Sequence, residues 1–217
     1  MQALDILYES AWTLVIYKPA GLASEVSPHY TSAEAQVQHY LHERERKSFV
    51  GVVHRLDRAV SGVLLFAKRK TALRHLQEQF RLRQVQKTYL AWVEQAPALP
   101  EATLEHYLWK DMANRRAIVS QPTDTKAQIC RLHYRTRPEK SDGRLLEIQL
   151  DTGRFHQIRA QLAAIGCPII GDTKYGAQGY WQPEAIALHA WQLRFIEPLD
   201  GSEHTVEAPP PSAFTFS

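Results

Sequence analysis

Short apolar runs, several of them alternating with polar residues, recur along the chain and predict many strands. Two brief apolar runs, at residues 52–53 and 63–65, indicate buried strands on either side of a polar stretch. Longer strands are predicted at residues 5–9, 13–17, 87–93, 104–110, 116–120, 126–136, 144–150 and 188–195. The chain is therefore expected to be rich in sheet.

Three segments have helical rather than strand patterns. Thr31 and Glu34 have the spacing of a capping box, which predicts a helix from there to about residue 46. In residues 71–83, apolar side chains recur at helical spacing and predict a buried stripe of Leu73, Leu76 and Phe80. Residues 152–166 predict a helix that ends at Gly166, with a stripe of Phe155, Ile158, Leu162 and Ile165.

Turn signals separate the strands. Pro19 and Gly21 predict a turn after the second strand, because proline fixes φ and glycine allows positive φ. Asp142-Gly143 and Asp200-Gly201 are strong hairpin dipeptides, and residues 111–115 predict a third hairpin turn. Hairpins join antiparallel strands, so these signals favour an α+β fold with a mostly antiparallel sheet.

Length and composition set broad limits. The chain has 217 residues, of which 44% are hydrophobic, enough for one large domain or two closely packed halves. Cys130 and Cys167 are far apart and have no metal or redox spacing, which favours a reduced compartment. No signal peptide or membrane-spanning run is present, so we expect a cytoplasmic protein without a membrane partner.

Positive charge is concentrated in one segment. The net charge of the whole chain is +3, but residues 54–87 contain nine Lys or Arg against two acidic residues. A basic segment on a slightly acidic remainder indicates local contact with a polyanion, although a solvated basic helix gives the same pattern.

The polar stretch between the two short apolar runs contains the main candidate chemistry. Asp57 lies between Arg55 and Arg58, and Ser61-Gly62 follows. A carboxylate flanked by core strands is costly to bury unless a cation pairs with it. From the residues alone, Asp57 is either a functional carboxylate or half of a structural ion pair.

Two further residues have both a functional and a structural interpretation. Arg159 is predicted on the edge of a buried helical stripe, where a guanidinium needs an anionic partner, and Asp57 is a natural candidate. A snorkelling arginine would give the same pattern. Tyr89 lies in a predicted strand, where it is either a core aromatic or part of a site.

Four motifs together resemble one enzyme family. They are His-Arg-Leu-Asp-x-x-x-Ser-Gly from residue 54, Lys-x-Tyr-Leu-Ala from 87, Gly-Arg-x-His-Gln-Ile-Arg from 153 and Gly-Asp-x-x-Tyr-Gly from 171. In this order they resemble the RNA pseudouridine synthases of the ribosomal and transfer RNA large-subunit type. Lys18, Pro19 and Gly21 also match, whereas Tyr17 stands where the family usually has Asn.

The resemblance implies a long, bent, mostly antiparallel sheet flanked by helices, with an RNA cleft across the sheet. The matched blocks span residues 18–208, nearly the whole chain. Only seventeen residues precede Lys18, so we expect one catalytic domain over residues 1–217, without the N-terminal RNA-binding domain of some members. A monomer is the default expectation.

The resemblance also implies an activity, the isomerisation of uridine to pseudouridine in ribosomal or transfer RNA, without metal or cofactor. Asp57 would be essential, as a nucleophile on the ribose or as a base that gives a glycal. Arg159 would pair with Asp57, and Tyr89 would stack on the uracil. Ile158 and Leu188 would form the wall of the base pocket. Arg55 would replace the flipped nucleotide, and Arg58, Lys18, Arg154 and residues 71–83, including Arg74, would contact phosphates.

Other functions remain open at this point. The chain has no phosphate-binding loop of the Gly-x-x-x-x-Gly-Lys type, no Gly-x-Gly-x-x-Gly and no Cys or His pair at zinc spacing. A hydrolase built from Ser61, His54 and Asp57 is conceivable, although the glycines of a nucleophile elbow are missing. A non-catalytic RNA-binding or chaperone module is the other alternative.

Overall fold

The computed structural model describes residues 4–44, 48–137 and 144–214. The chain forms two compact units, the first from residues within 1–87, 183–185 and 189–210 and the second from residues within 88–182, 186–188 and 211–217. The helices of the described residues are α1 (Ala33–His42), α2 (Lys70–Arg81) and α3 (Gln157–Ala164). The strands are β1 (Ile6–Glu9), β2 (Thr13–Lys18), β3 (Gly51–Val52), β4 (Ser61–Ala67), β5 (Gln86–Trp92), β6 (Glu101–Asp111), β7 (Arg116–Ser120), β8 (Gln128–Thr136), β9 (Leu145–Leu150), β10 (Leu188–Ile196) and β11 (Glu203–Glu207).

In the first unit, β4 is the central strand. It pairs antiparallel with β2 and β3 and parallel with β10, while β1 pairs with β2 and β11 with β10. Every residue of β4 is buried, which explains why its sequence is a continuous apolar run rather than an alternating one. Leu76 of α2 packs into the same core, with Leu73 and Phe80 partly buried against it.

The second unit contains a fully antiparallel set of strands in the order β5, β9, β8, β6, β7. The β6–β7 turn is closed by Asp111, whose carboxylate accepts from the backbone N–H and side-chain amide of Asn114. Helix α3 packs on this sheet through Ala160, against Leu108 and Cys130. The predicted antiparallel hairpins are therefore confirmed, except that the Asp142-Gly143 turn lies outside the described residues.

The predicted start of the first helix is wrong by one residue. Ser32, not Thr31, is the N-cap, and its hydroxyl accepts from the Ala35 N–H at 3.2 Å. Glu34 does not complete a capping box, because its carboxylate accepts from the Val26 N–H instead. The helix ends at His42, and its predicted end near residue 46 lies outside the described residues.

The helix predicted over residues 152–166 begins five residues late, at Gln157. The Gln157 side-chain oxygen accepts from the Thr152 hydroxyl at 2.8 Å and from the Arg154 N–H at 3.0 Å, which holds the preceding segment out of the helix. His156 has the left-handed φ of 51° that this entry requires, a conformation in which histidine is enriched. Gly166, with φ of 76°, follows the end of the helix as predicted.

We predict that Gly62→Ala prevents stable folding. Gly62 has φ of 120°, and a Cβ there would lie 2.1 Å from the carbonyl oxygen of Ala190 on the paired strand β10. Gly201→Ala is the matched control, because Gly201 also has positive φ, 75°, but open space around it. The control should cost only about 1–2 kcal/mol of backbone strain. Thermal unfolding of both variants checks this, and equal melting temperatures would contradict the steric argument.

Candidate active site

Asp57 lies in a turn whose flanking residues are both fixed. On one side, the Ser24 hydroxyl donates to the Leu56 carbonyl at 2.8 Å and accepts from the Leu56 N–H at 3.0 Å. On the other side, the Arg58 carbonyl accepts from the Gly21 N–H at 2.8 Å. The turn itself is closed by the Val60 N–H, which donates to the Asp57 carbonyl. The backbone at Asp57 is therefore held from both neighbours.

Lys18 also holds the turn that contains Asp57, through hydrogen bonds from its ammonium group. Its side chain is completely buried, and its ammonium donates to the carbonyls of Pro19, Leu22 and Arg58 at 3.0, 2.8 and 3.3 Å. Burial lowers the pKa of Lys18 to about 7, and the negative charge of Asp57 opposes that shift. An ammonium enclosed by three carbonyls does not reach the surface, so the predicted phosphate contact of Lys18 is corrected to a structural role beside Asp57.

The arginines of this region remain accessible. Arg55 is exposed and pairs with Glu25 at 2.9 Å, and Arg58 is partly exposed and pairs with Glu184 at 2.5 Å. Arg74 lies on the exposed face of α2. All three are positioned where they can contact a polyanion.

The residues of the hydrolase alternative do not form a Ser–His pair. The His54 ring stacks on Phe80, its Nε2 accepts from the Leu65 N–H, and desolvation lowers its pKa to about 3. The Ser61 hydroxyl instead pairs with Nδ1 of His189 at 2.8 Å. The structure therefore gives no support to a Ser61–His54–Asp57 hydrolase.

His189 is buried within this first unit as a neutral ring. Its Nε2 donates to the Ala208 carbonyl, which can only accept, so Nδ1 is unprotonated and accepts from Ser61. Burial lowers the pKa of His189 to about 4, against the raising effect of the Ala208 carbonyl. Tyr17, which stands where the family has Asn, places its ring centroid 5.9 Å from that of His189. Tyr17 thus belongs to this buried polar group.

In the second unit, the sequence-predicted site residues are mostly buried. Tyr89 on β5 is 9% exposed, and Ile158 and Leu188 are 5% and 3% exposed. Arg154 is exposed, and its Nε donates to the Ile129 carbonyl at 3.4 Å.

Arg159 has a partner that the sequence reasoning missed. Its Nε and Nη2 donate to the two carboxylate oxygens of Asp172 at 2.6 and 2.7 Å, a bidentate pair in which both side chains are buried. Its Nη1 donates to His156 Nε2 at 3.0 Å, so Nδ1 of that ring carries the proton and donates to the Tyr175 hydroxyl. Asp172 and Tyr175 belong to the fourth motif, which follows Arg159 closely in the sequence. That closeness was the signal that could have identified Asp172 as the partner of Arg159. The pairing of Arg159 with Asp57 stays a prediction.

The described residues were also compared with the requirements of membrane spans and metal sites. Within residues 4–44, 48–137 and 144–214, no helix is long and apolar enough to cross a membrane. The same described residues contain no group of three or more His, Cys, Asp or Glu side chains arranged to bind a metal ion.

Comparison with known proteins agrees with the motifs. The sequence profile of the RNA pseudouridylate synthase family matches residues 13–164. The chain belongs to this family. It is therefore an RNA pseudouridine synthase, an isomerase whose substrate is uridine in RNA. The matched segment includes the turn of Asp57, the strand of Tyr89 and the helix of Arg159.

Individual relatives are similar over almost the whole chain. An RNA pseudouridine synthase of Synechocystis is 31% identical over 97% of this chain and 67% of its own length. Ribosomal large subunit pseudouridine synthase C of Yersinia pestis is 34% identical over 94% of this chain and 65% of its own length. The chain thus spans about two thirds of the length of these pseudouridine synthases.

Solved structures confirm the fold. Human RNA pseudouridylate synthase domain containing 4 superposes with a TM-score of 0.79, at 24% identity, over 97% of this chain and 90% of that protein. The predicted α+β pseudouridine synthase fold is confirmed.

We predict that Lys18→Met lowers stability. The substitution leaves the Leu22 carbonyl without its buried donor, and such an unsatisfied group costs about 1–3 kcal/mol. The Arg58 carbonyl loses one of its two donors but keeps the Gly21 N–H. Lys68→Met is the control, because it makes the same substitution at a partly exposed lysine, which pairs with Glu9 and donates to the Ser10 carbonyl. Urea unfolding of both variants tests the prediction, and a Lys18→Met midpoint no lower than that of the control would contradict it.

We predict that the fully buried His189 makes the fold sensitive to acid. The unfolded ring takes up a proton near pH 6.5 but the folded ring only near pH 4, so the unfolded state binds more protons between these values. Stability therefore falls as the pH drops below 6.5, by about 2 kcal/mol at pH 5 from this group. Urea unfolding of wild type and His189→Gln at pH 7.5 and 5 isolates the effect. An identical pH dependence in the two proteins would show that His189 does not contribute.

Proposed function

We propose that this enzyme isomerises one or a few specific uridines of a folded ribosomal or transfer RNA, with Asp57 as the essential catalytic residue. The observation that carries the proposal is the geometry of the Asp57 turn, in which Leu56 and Arg58 each accept a hydrogen bond from a buried side chain. A reacting carboxylate must be held in place, because small displacements of a catalytic group are costly in rate.

The reaction makes limited demands on the protein. The glycosidic bond from uracil N1 to ribose C1′ breaks, the base turns, and a bond forms between C5 and C1′. The C5 proton leaves and N1 gains a proton, so atoms balance without a cofactor or an energy source. Asp57 either attacks the ribose or removes a ribose proton, and both steps require its carboxylate form.

The other residues take the roles that the family resemblance implies. We propose that Arg159 provides a cation for the catalytic carboxylate and that Tyr89 stacks on the uracil. Ile158 and Leu188 are proposed as the apolar wall of the base pocket, and their burial agrees with that role. The buried Asp172 pair orients the Arg159 guanidinium, which supports a fixed rather than a mobile arginine.

RNA contact is proposed for the exposed arginines. Arg55 would take the place of the flipped nucleotide, since a base in a folded RNA must leave its stack to react. Arg58, Arg74 and Arg154 would contact phosphates and make the affinity depend on salt. The name of the Yersinia pestis relative makes ribosomal large-subunit RNA the first substrate to test.

We predict that Asp57→Asn abolishes pseudouridine formation while leaving folding and RNA binding largely intact, because the amide keeps the size of the carboxylate but not its charge. Base-resolved pseudouridine mapping of total RNA compares cells that lack the gene with cells complemented by wild type or by Asp57→Asn. Asp5→Asn, a substitution of an exposed aspartate in the same unit, is the matched control and should restore the modification.

Pseudouridine at the target site in the Asp57→Asn cells would contradict the catalytic assignment. If no site is lost without the gene, and purified wild type on unmodified transcripts also makes no pseudouridine but binds them, the non-catalytic RNA-binding module would be favoured instead.

A further inference from the structure

The Arg58 guanidinium does not point freely into solvent, because a carboxylate, an aromatic ring and a backbone carbonyl contact it. Its Nη1 is 2.5 Å from Glu184 Oε1, and its guanidinium carbon lies 4.5 Å from the centroid of the Tyr30 ring. The Gly21 carbonyl accepts from the same nitrogen at 3.5 Å. The arginine is thus held in one orientation by an aromatic face and a carboxylate, as a phosphate-binding arginine would be.

Glu184 has an unfavourable backbone conformation in this position. Its φ is +57°, a left-handed conformation that a glutamate rarely adopts. The second carboxylate oxygen of Glu184 lies 3.2 Å from the position that a Cβ on Gly21 would occupy, so the absence of a side chain at Gly21 leaves room for it. A strained residue that persists in a fold is held by its contacts, and the contacts of Glu184 are with Arg58 and its surroundings.

The other arginine beside Asp57 shows the same arrangement in a looser form. Arg55 Nη1 pairs with Glu25 Oε2 at 2.9 Å, and its side chain is 63% exposed against 33% for Arg58. Both arginines that flank Asp57 therefore have a carboxylate from a different segment of the chain on the guanidinium. A carboxylate and a phosphate offer a guanidinium the same pair of acceptor oxygens.

We propose that Glu184 occupies the phosphate site of Arg58 in the RNA-free enzyme and so sets the selectivity of RNA binding. This inference rests on the proposed contact between Arg58 and RNA. An RNA phosphate must displace the carboxylate and then remain near its negative charge. An RNA that makes further contacts can compensate for that cost, whereas an unstructured RNA cannot. Glu184 is thus a repulsive element against wrong substrates.

The first test measures binding of a fluorescein-labelled single-stranded oligouridine by anisotropy over a range of salt concentrations. Glu184→Gln should tighten Kd by about two- to five-fold, the equivalent of one exposed ion pair. The slope of log Kd against log salt should steepen by about 0.7, because one more phosphate contact releases counterions. Glu203→Gln is the matched control: it makes the same charge change in the same unit and releases Arg194 from its pair. The control should leave the slope unchanged.

The second test asks whether the effect passes through Arg58. In an Arg58→Gln background, Glu184→Gln should give no gain in affinity beyond that of Glu203→Gln. An equal gain with and without Arg58, an equal gain in the Glu203→Gln control, or no gain at all would overturn the proposal. All proteins are made in the Asp57→Asn background, so the readout is binding alone. A failure of Glu184 to act on binding is therefore distinct from a failure of Asp57 as the catalytic residue, which product mapping reports.

Discussion

The buried ammonium of Lys18 is the interaction on which the candidate site depends. Removing a charge from water is costly, and here three carbonyls and the nearby charge of Asp57 offset part of that cost. One of these carbonyls belongs to Arg58, next to Asp57, so the lysine at the end of β2 fixes a residue forty positions later in the chain. The backbone position of the candidate catalytic residue thus depends on a lysine that need not touch the substrate.

The second unit also holds a buried cation, but its main partner is a carboxylate rather than a set of carbonyls. The buried guanidinium of Arg159 is held by both oxygens of Asp172, and the neutral His156 ring links it to Tyr175. Tyr175 in turn accepts from the Ala117 N–H, which ties the pair to β7. Each unit therefore contains a buried cation whose partners attach an irregular segment to a sheet. The sheets are rigid, and the buried Lys18 and Arg159 side chains determine where the neighbouring loops are attached to them.

The sequence predicted those features that are local. The apolar run of β4, the alternation of β10 and the β10–β11 hairpin follow from side-chain period and turn chemistry, and all are present. The start of α3 was wrong because a single side chain, Gln157, captures the Arg154 N–H before the helix begins. Lys18 and Asp172 were misjudged or missed for another reason. The sequence pattern shows that a buried charge needs a partner, but it does not identify the distant residue that provides it. Nor does the pattern show whether a lysine side chain is buried.

The chain order of the first unit has a consequence for its biosynthesis. Gly62 packs against Ala190, and β4 pairs with β10, so this unit needs residues from both 1–87 and 189–210. Residues 88–182, which make up most of the second unit, leave the ribosome in between. During vectorial synthesis the Asp57 turn therefore emerges early but completes its sheet late, after β10 has been translated. Until residues 189–210 have been translated, strands β1 to β4 form an incomplete sheet in which the edge of β4 is unpaired.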